Sequence, residues 1–436
     1  MRVTVLRPEF PDHSSPFSRH QERDRKTAAL CSAASRRFNL QGVQGARLED
    51  IAADLGLTKT SIAYYFASKE ELAEAVFLSS IEFLDTALGR AEAANDAPGL
   101  KLLALFEVYA EQLSEAIEGQ RPFPARLQEI DTLSDAVQAR ILSALEKAVR
   151  RVAIMVKDWR PETGLPDRRP EPVTYCLFGL LDWLTVRAGE ETATAFAETV
   201  DALQSILRQG LAEDSKALSD IAPHFNSTGE LPQIFDREAR NRMKREAFLK
   251  AGIRFFNLYG FEGVSLGEVA ASLGVTRGAF YYHIPDKESF LDQCIEHSLE
   301  RVERALDDAA EAEDGLAFLQ RAVFDLIYMQ ASGMAPIIRL ELMVALPATR
   351  RNRHQARLRN IIRRLGDAYE AAIGQGEARA HDATIVESIL TGVMFINSGY
   401  DLAASLTMND WRMSQNPQSA TNDFLHVLFY GLTARS

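Results

Sequence analysis

Two short stretches of the chain gather cations, hydroxyls and aromatic rings in matching order. One holds Thr58, Lys59, Thr60, Ser61, Tyr64 and Tyr65; the other holds Thr276, Arg277, Gly278, Ala279, Tyr281, Tyr282 and His283. Ammonium, guanidinium and hydroxyl groups hold phosphate oxygens, and an arginine can meet the paired acceptors of a guanine edge in the major groove. Arg277 is the residue best suited to that reading. Lys69 and Lys287, at the start of the element that follows each stretch, are expected at phosphates, and the rings at the backbone. One ring in each set is as well suited to packing a small core.

Such side chains need a short helix to present them, and the sequence supplies one twice. Leu48, Ile51, Ala52 and Leu55, matched by Leu266, Val269, Ala270 and Leu273, recur at helical spacing. Gly56 and Gly274 follow, able to take the positive φ with which a helix ends and turns. Thr58 and Thr276 are placed to cap the next helix, Lys59 to Tyr65 and Arg277 to His283, which buries Ile62 or Phe280. Ser68 with Glu71 fits a capping box, and Asp286 can cap the same place in the second stretch. An earlier helix adds Ala29, Leu30, Ala33 and Phe38, or Ala247, Phe248, Ala251 and Phe256. Each stretch therefore predicts three helices around one small core.

The correspondence extends along the chain. An ungapped match at an offset of 218 residues runs from Lys26 to Val76, with about eighteen of about fifty positions identical. RRFNLQGVQGARLEDIAADLGLTKT from Arg36 lies over RFFNLYGFEGVSLGEVAASLGVTRG from Arg254. A weaker match at an offset of 213 lays Leu127, Ile130 and Leu133 over Leu340, Met343 and Leu346, and LFGLLDWL from Leu177 over LTGVMFIN from Leu390. The whole half is duplicated, with Asp214 to Asn241, carrying Pro223, Gly229 and Pro232, as the linker.

With 436 residues, the chain has room for several cores. Hydrophobic residues at 46% and charged residues at 25% are those of a soluble globular protein. No apolar run approaches a membrane helix, and the first 20 residues lack the apolar stretch of a secretory signal, so a soluble cytoplasmic protein with a flexible N-terminal arm is expected. Cys31, Cys176 and Cys294 suggest neither disulfides nor a thiolate zinc site. The net charge of -12 excludes a protein that coats nucleic acid by bulk charge, but not a local basic face. There is no GxSxG, no phosphate-binding glycine loop and no HExxH, which argues against an enzyme; no cofactor is expected.

The order Phe, Gly, Leu, the IAADLG-type helix, GVTRG, the aromatic cluster and the closing Lys-Glu resembles the N-terminal domain of the tetracycline-repressor (TetR) family. FFNLYGFEGVSLGEVAASLGVTRGAFYYHIPDKE is the closer copy. In the first, Arg47 stands where Ser265 is placed to cap, Thr60 replaces Gly278, and Ala63 replaces Tyr281. The motifs cover about a quarter of the chain and occur twice in register.

The resemblance implies an all-α chain of two tandem units: an arm at 1–20, helix-turn-helix domains at 21–75 and 242–293, helical ligand-binding and dimerisation domains at 76–213 and 294–436, and the linker at 214–241. It implies a regulator, in the family's usual sense a repressor, whose partners are an operator in double-stranded DNA and a small-molecule effector that moves the two recognition helices apart. Family members pair through their last two helices, here about 172–187 with 192–211 and about 382–404 with 422–432. Intramolecular pairing of the halves is the simplest arrangement, since the linker raises their effective concentration, and a homodimer is the alternative. A sensor or adaptor that has lost DNA binding is the rival reading.

Two unlike readers imply an asymmetric operator. Phe106, Tyr109, Trp183, Tyr328 and Met329 either line effector cavities or belong to plain core. Arg350, Arg351, Arg353, His354, Arg357, Arg359, Arg363 and Arg364 form either a solvated helix face or an anion site. Cys294 and His297 have metal-ligand spacing but no third ligand near in sequence.

Overall fold

The computed structural model describes residues 16–94, 96–163, 170–213, 221–223, 237–312, 314–332, 335–394 and 417–433. Among these the fold is all-α, with one isolated antiparallel bridge between Ala212 and Ala378. The first half runs α1 (Pro16–Gly45), α2 (Leu48–Asp54), α3 (Lys59–Ala63), α4 (Lys69–Ala94), α5 (Pro98–Ile117), a 3-10 turn at Ile130–Thr132, α6 (Asp135–Thr163), α7 (Glu171–Glu190) and α8 (Ala193–Gln209). The second repeats that order: α9 (Arg237–Gly263), α10 (Leu266–Ser272), α11 (Arg277–His283), α12 (Lys287–Ala309), α13 (Gly315–Ala331), a 3-10 turn at Leu340–Ala345, α14 (Ala348–Gly374), α15 (Ala383–Met394) and α16 (Pro417–Tyr430).

Three expected boundaries shift. Helix α1 already begins inside the expected arm, and α9 takes the last five residues of the expected linker; α3 ends at Ala63, two residues early. Most of the linker, residues 214–220 and 224–236, and the end of the expected helix beyond 394, lie outside the described residues. The part of the linker at 221–223 is tied to the second half, where Asn422 Oδ1 accepts the Ile221 amide at 3.0 Å and Arg321 donates to Ala222 at 2.8 Å.

The halves pack together at two levels. At one end α1 lies against α9. At the other, α7 and α8 meet α15 and α16, the helices that the resemblance assigns to pairing. The ends of α8 and α16 cross through a reciprocal glycine pair. Gly210 (φ 75) abuts the backbone of Phe429, and Gly431 (φ 82) that of Arg208, so a side chain at either would strike main chain. Backbone bonds join Leu211 to Leu428 (3.1 Å) and Leu432 to Leu207 (2.6 Å). Trp159, fully buried in α6, donates from Nε1 to the Leu432 carbonyl at 2.7 Å. Two chain ends so interlocked bury their polar groups in pairs, which avoids the cost of unmade hydrogen bonds.

Candidate nucleic-acid interface

Each helix-turn-helix is built as its residues dictate. Ile51 and Ala52, or Val269 and Ala270, turn inward; Gly56 (φ 65) and Gly274 (φ 66) reverse the chain. The hydroxyls of Thr58 and Thr276 accept the amides of Ser61 and Ala279 at 3.3 Å, capping α3 and α11. Ile62 and Phe280 are fully buried beneath. Behind them Ser68 Oγ accepts the Glu71 amide, while Glu71 reaches back to the Ala67 amide rather than to that of Ser68; Asp286 accepts the Ser289 amide.

The expected reader residues lie mostly on the outward faces of α3 and α11. Arg47, Thr58, Lys59, Thr60 and Tyr64 are exposed and Ser61 half-buried in the first unit; Ser265, Thr276, Arg277, Gly278, Ala279, Tyr281, Tyr282 and His283 are all exposed in the second. Tyr65 packs partly against the core, and His283 meets Phe248 edge-on, so one ring in each set supports the fold.

Three expectations need correction, and two lysines have partners that the sequence did not show. Ser265 makes no side-chain cap; its backbone carbonyl, like that of Arg47, takes the first amides of the helix instead. Ala29 and Ala247 are exposed, because the buried face of α1 and α9 runs through Leu30, Ala33 and Ala34 and through Phe248 and Leu249. Lys69 donates to the carbonyls of Gln44 and Ala46 at 3.0 Å each, and Lys287 to that of Glu262 at 3.2 Å. These lysines tie off the ends of α1 and α9, and burial lowers the pKa of Lys69. Finally, the basic run on α14 is neither a bare solvated face nor an open anion site. Arg350, Arg353, His354, Arg357 and Arg364 pair with Glu288, Asp292, Glu303 and Asp307 of α12.

The two units differ in what holds the leading cation of the reader. In the first, Lys59 Nζ lies 2.6 Å from Glu49, whose carboxyl this contact holds below its usual pKa. In the second, the match of Glu49 is Gly267, and the Arg277 guanidinium lies across it, 2.9 Å from where a Cβ would stand. No carboxylate pairs with Arg277 among the described residues.

A loop repeated in both halves joins each reader to the body. Asn39 of α1 donates to the Pro124 carbonyl (3.1 Å) and accepts the Arg126 amide (2.8 Å); Asn257 of α9 does the same for Ile337 (2.9 Å) and Arg339 (3.0 Å). The hydroxyls of Ser80 and Ser298 accept the amides of Ala125 and Ile338. The two loop arginines then cross between the halves. Arg126 makes a bidentate pair with Asp182 of α7 (2.7 to 3.0 Å) and also reaches Glu341; Arg339 reaches Gln128 and lies 3.9 Å from Glu129.

Beside the first loop is a cavity of about 60 Å3 lined by Ser80, Leu84, Tyr109, Arg126, Asp182 and Thr185. Tyr109 is hydrogen-bonded to Thr185 at 2.9 Å. Of the five expected cavity residues Tyr109 is found there. Phe106 is fully buried core, Trp183 lies against Gly392 at the seam between halves, Tyr328 stacks on Phe324, and Met329 is buried core. Cys294 is fully buried, while His297 accepts from Arg301 at 3.0 Å, so each has its own surroundings. Ser80, Arg126, Asp182 and Thr185 were missed; the offset of 213 that aligns Arg126 with Arg339 was a signal for Arg126, and the offset of 218 that aligns Ser80 with Ser298 was one for Ser80.

Residues 30–76 and 248–294 each match the family described as bacterial regulatory proteins, tetR family. The chain carries the tetR-family domain twice. Curated relatives include the HTH-type transcriptional regulator AcrR of Shigella flexneri, 41% identical over 54 residues, which are 12% of this chain and 25% of that protein. RutR of Escherichia coli O157:H7 is 26% identical over 199 residues, 43% of this chain and 90% of that protein. The chain thus matches about a quarter of AcrR but nearly the whole of RutR, as one half of a tandem tetR-family chain would. Among solved structures, apo AibR is 22% identical with a TM-score of 0.35, covering 42% of this chain and 97% of that one. No described helix is long and apolar enough to cross a membrane.

Proposed function

We propose that the chain is a DNA-binding transcription regulator whose two tetR-family halves act as an intramolecular pair and hold two unequal recognition helices against one operator. The observation that carries this reading is the duplicated reader itself: capped α3 and α11, each with polar side chains outward, on α1 and α9 that pack together. Arg277 leads the recognition. An arginine that meets a guanine edge with both of its nitrogens contributes about 1–3 kcal/mol of discrimination. Lys59, neutralised by Glu49, is the weaker reader, which favours a first half that contributes position more than sequence.

The protein works in the cytoplasm as a repressor released by a small effector. The cavity beside Arg126 is the entry point for that release. At about 60 Å3 it is far smaller than the roughly 300 Å3 from which ordinary ligand sites begin, so an effector has to open it. Opening it separates Asp182 from Arg126, and the Arg126 amide hangs on Asn39 of α1.

Gel shifts with the DNA upstream of the chain's own gene, at fixed salt, test the reading. Arg277→Ala is expected to weaken specific binding by about tenfold or more, and Lys59→Ala by less. If neither change weakens specific binding, α3 and α11 are not the readers.

A further inference from the structure

The two DNA-reading units touch a common side chain that only one half possesses. Glu129, at the edge of the 3-10 turn after the first loop, is the one non-glycine residue with positive φ among the described residues (φ 60, ψ 22). It is 6% exposed. Its carboxylate accepts the Gln44 amide of α1 at 3.1 Å and faces Arg339 of the other half. Its Oε1 also lies directly against Gly42 and Gly260, where a Cβ on either glycine would collide with it.

Those two glycines are the same position of the repeat. They carry φ 73 and 64, and they are where α1 and α9 kink just before their helix-turn-helix pairs. One oxygen atom therefore wedges between the hinge of one reader and the hinge of the other. The arrangement is costly: a non-glycine residue is strained in the left-handed region, and burial raises the pKa of the carboxyl above its usual value, with the Gln44 amide, Arg339 and Lys69 opposing. The second half places Leu342 at the matching position, so the repeated loop does not need a glutamate to fold. A cost borne at one copy, at the contact between both readers, points to a role in setting them.

We infer that Glu129 is a positioning residue that fixes the separation of the two recognition helices, and so the spacing of half-sites the chain accepts. Its consequence for DNA rests on the proposed function above; its consequence for geometry does not. A homodimer of single units would carry such a residue on both sides or on neither, whereas a tandem chain can keep one wedge at the centre.

The test measures both consequences in the full chain. Spin labels on Ala53→Cys and Ala271→Cys, exposed matching positions of α2 and α10, report the separation without DNA; the three native cysteines are buried. A narrow distance distribution is expected for the parent and for Glu129→Gln, which keeps the shape. A broadened and shifted one is expected for Glu129→Gly. Gly260→Ala, which drives a methyl into Oε1, should shift the distance in the parent, and in the Glu129→Gly background it should leave the distribution of Glu129→Gly nearly unchanged. Because this approaches the contact from the opposite side, the inference remains testable if one variant folds poorly.

On DNA, inserting one base pair between half-sites should cost the parent about tenfold, the order of one lost base contact, and Glu129→Gly under about threefold. Distances unchanged in both Glu129→Gly and Gly260→Ala overturn the wedge, whatever happens on DNA. Changed distances with no specific DNA binding by the parent keep the wedge and overturn the DNA reading.

Discussion

Replacing Glu49 by glycine should make the first reader behave electrostatically like the second. The Lys59–Glu49 pair is 2.6 Å long, but its side chains are 60% and 56% exposed. An exposed pair of this kind contributes little to folding, because solvent screens it, so the variant should unfold at nearly the parent's denaturant midpoint. On DNA the change is larger. A freed Lys59 can neutralise one further phosphate, and each such contact steepens the slope of log K against log salt by about 0.9. Between 50 and 200 mM salt that is an additional loss in affinity of about 3.5-fold, with tighter binding at the low-salt end. The mirror change, Gly267→Glu, should flatten the slope by a similar amount, because the new carboxylate would stand beside the Arg277 guanidinium. Fluorescence anisotropy with a labelled operator, titrated at several salt concentrations, measures both slopes. If Glu49→Gly leaves the slope where it was while the protein still binds specifically, Lys59 does not face DNA and the inequality between readers has another origin.

Other consequences follow from the loops and the core. Arg126→Met should cost about 3 kcal/mol in urea denaturation, because it removes a buried guanidinium from its bidentate pair with the largely buried Asp182 carboxylate; a cost under 1 kcal/mol would mean the pair is not buried in solution. Asn257→Ala should lower stability by about 1–3 kcal/mol by taking the acceptor of the buried Arg339 amide away, and Asn39→Ala should do the same to the Arg126 amide in the first half. Equal stability of either variant and the parent would show that the loop finds other partners. His297 is held down to about 4, first by burial and then by Arg301. An unfolded chain therefore takes up this proton near 6.5 while the folded chain resists it, so stability is lost as pH falls from about 6.5 towards 4. His297→Gln should make denaturant midpoints less steep across that window; an unchanged profile would place the titration elsewhere.

How far the sequence revealed this molecule depended on where the partners of each residue lay. Gly56, Thr58 and Ile62, with their matches at 274, 276 and 280, act within one turn of helix, and their spacing alone disclosed the turn, the cap and the buried face. The bonds of Lys69 and Lys287 to the ends of α1 and α9 were not legible, because backbone carbonyls leave no mark in a sequence. The basic run on α14 was different. Its counterparts Glu288, Asp292 and Glu296 recur every four residues on α12, a legible stripe, but only the packing of two distant helices shows that the stripes face each other. Ala29 and Ala247 were assigned to the core because alanine suits either face, so its identity could not fix the rotation of the helix. Glu129 left the faintest trace. Its only signal was the mismatch with Leu342 inside a loop that keeps Arg126, Leu127 and Leu133 as Arg339, Leu340 and Leu346, and its meaning depends on Gly42 and Gly260 meeting across the join.

The central claim is that one chain places two different readers on one operator. Footprinting of the parent, followed by single base-pair changes through each protected half, tests it most directly, alongside light scattering of the complex. One chain of 48.5 kDa per operator is expected, with unlike half-sites and larger losses in the half that loses its footprint when Arg277 is replaced. A perfect palindrome protected by one chain, with equal losses in both halves, would contradict it.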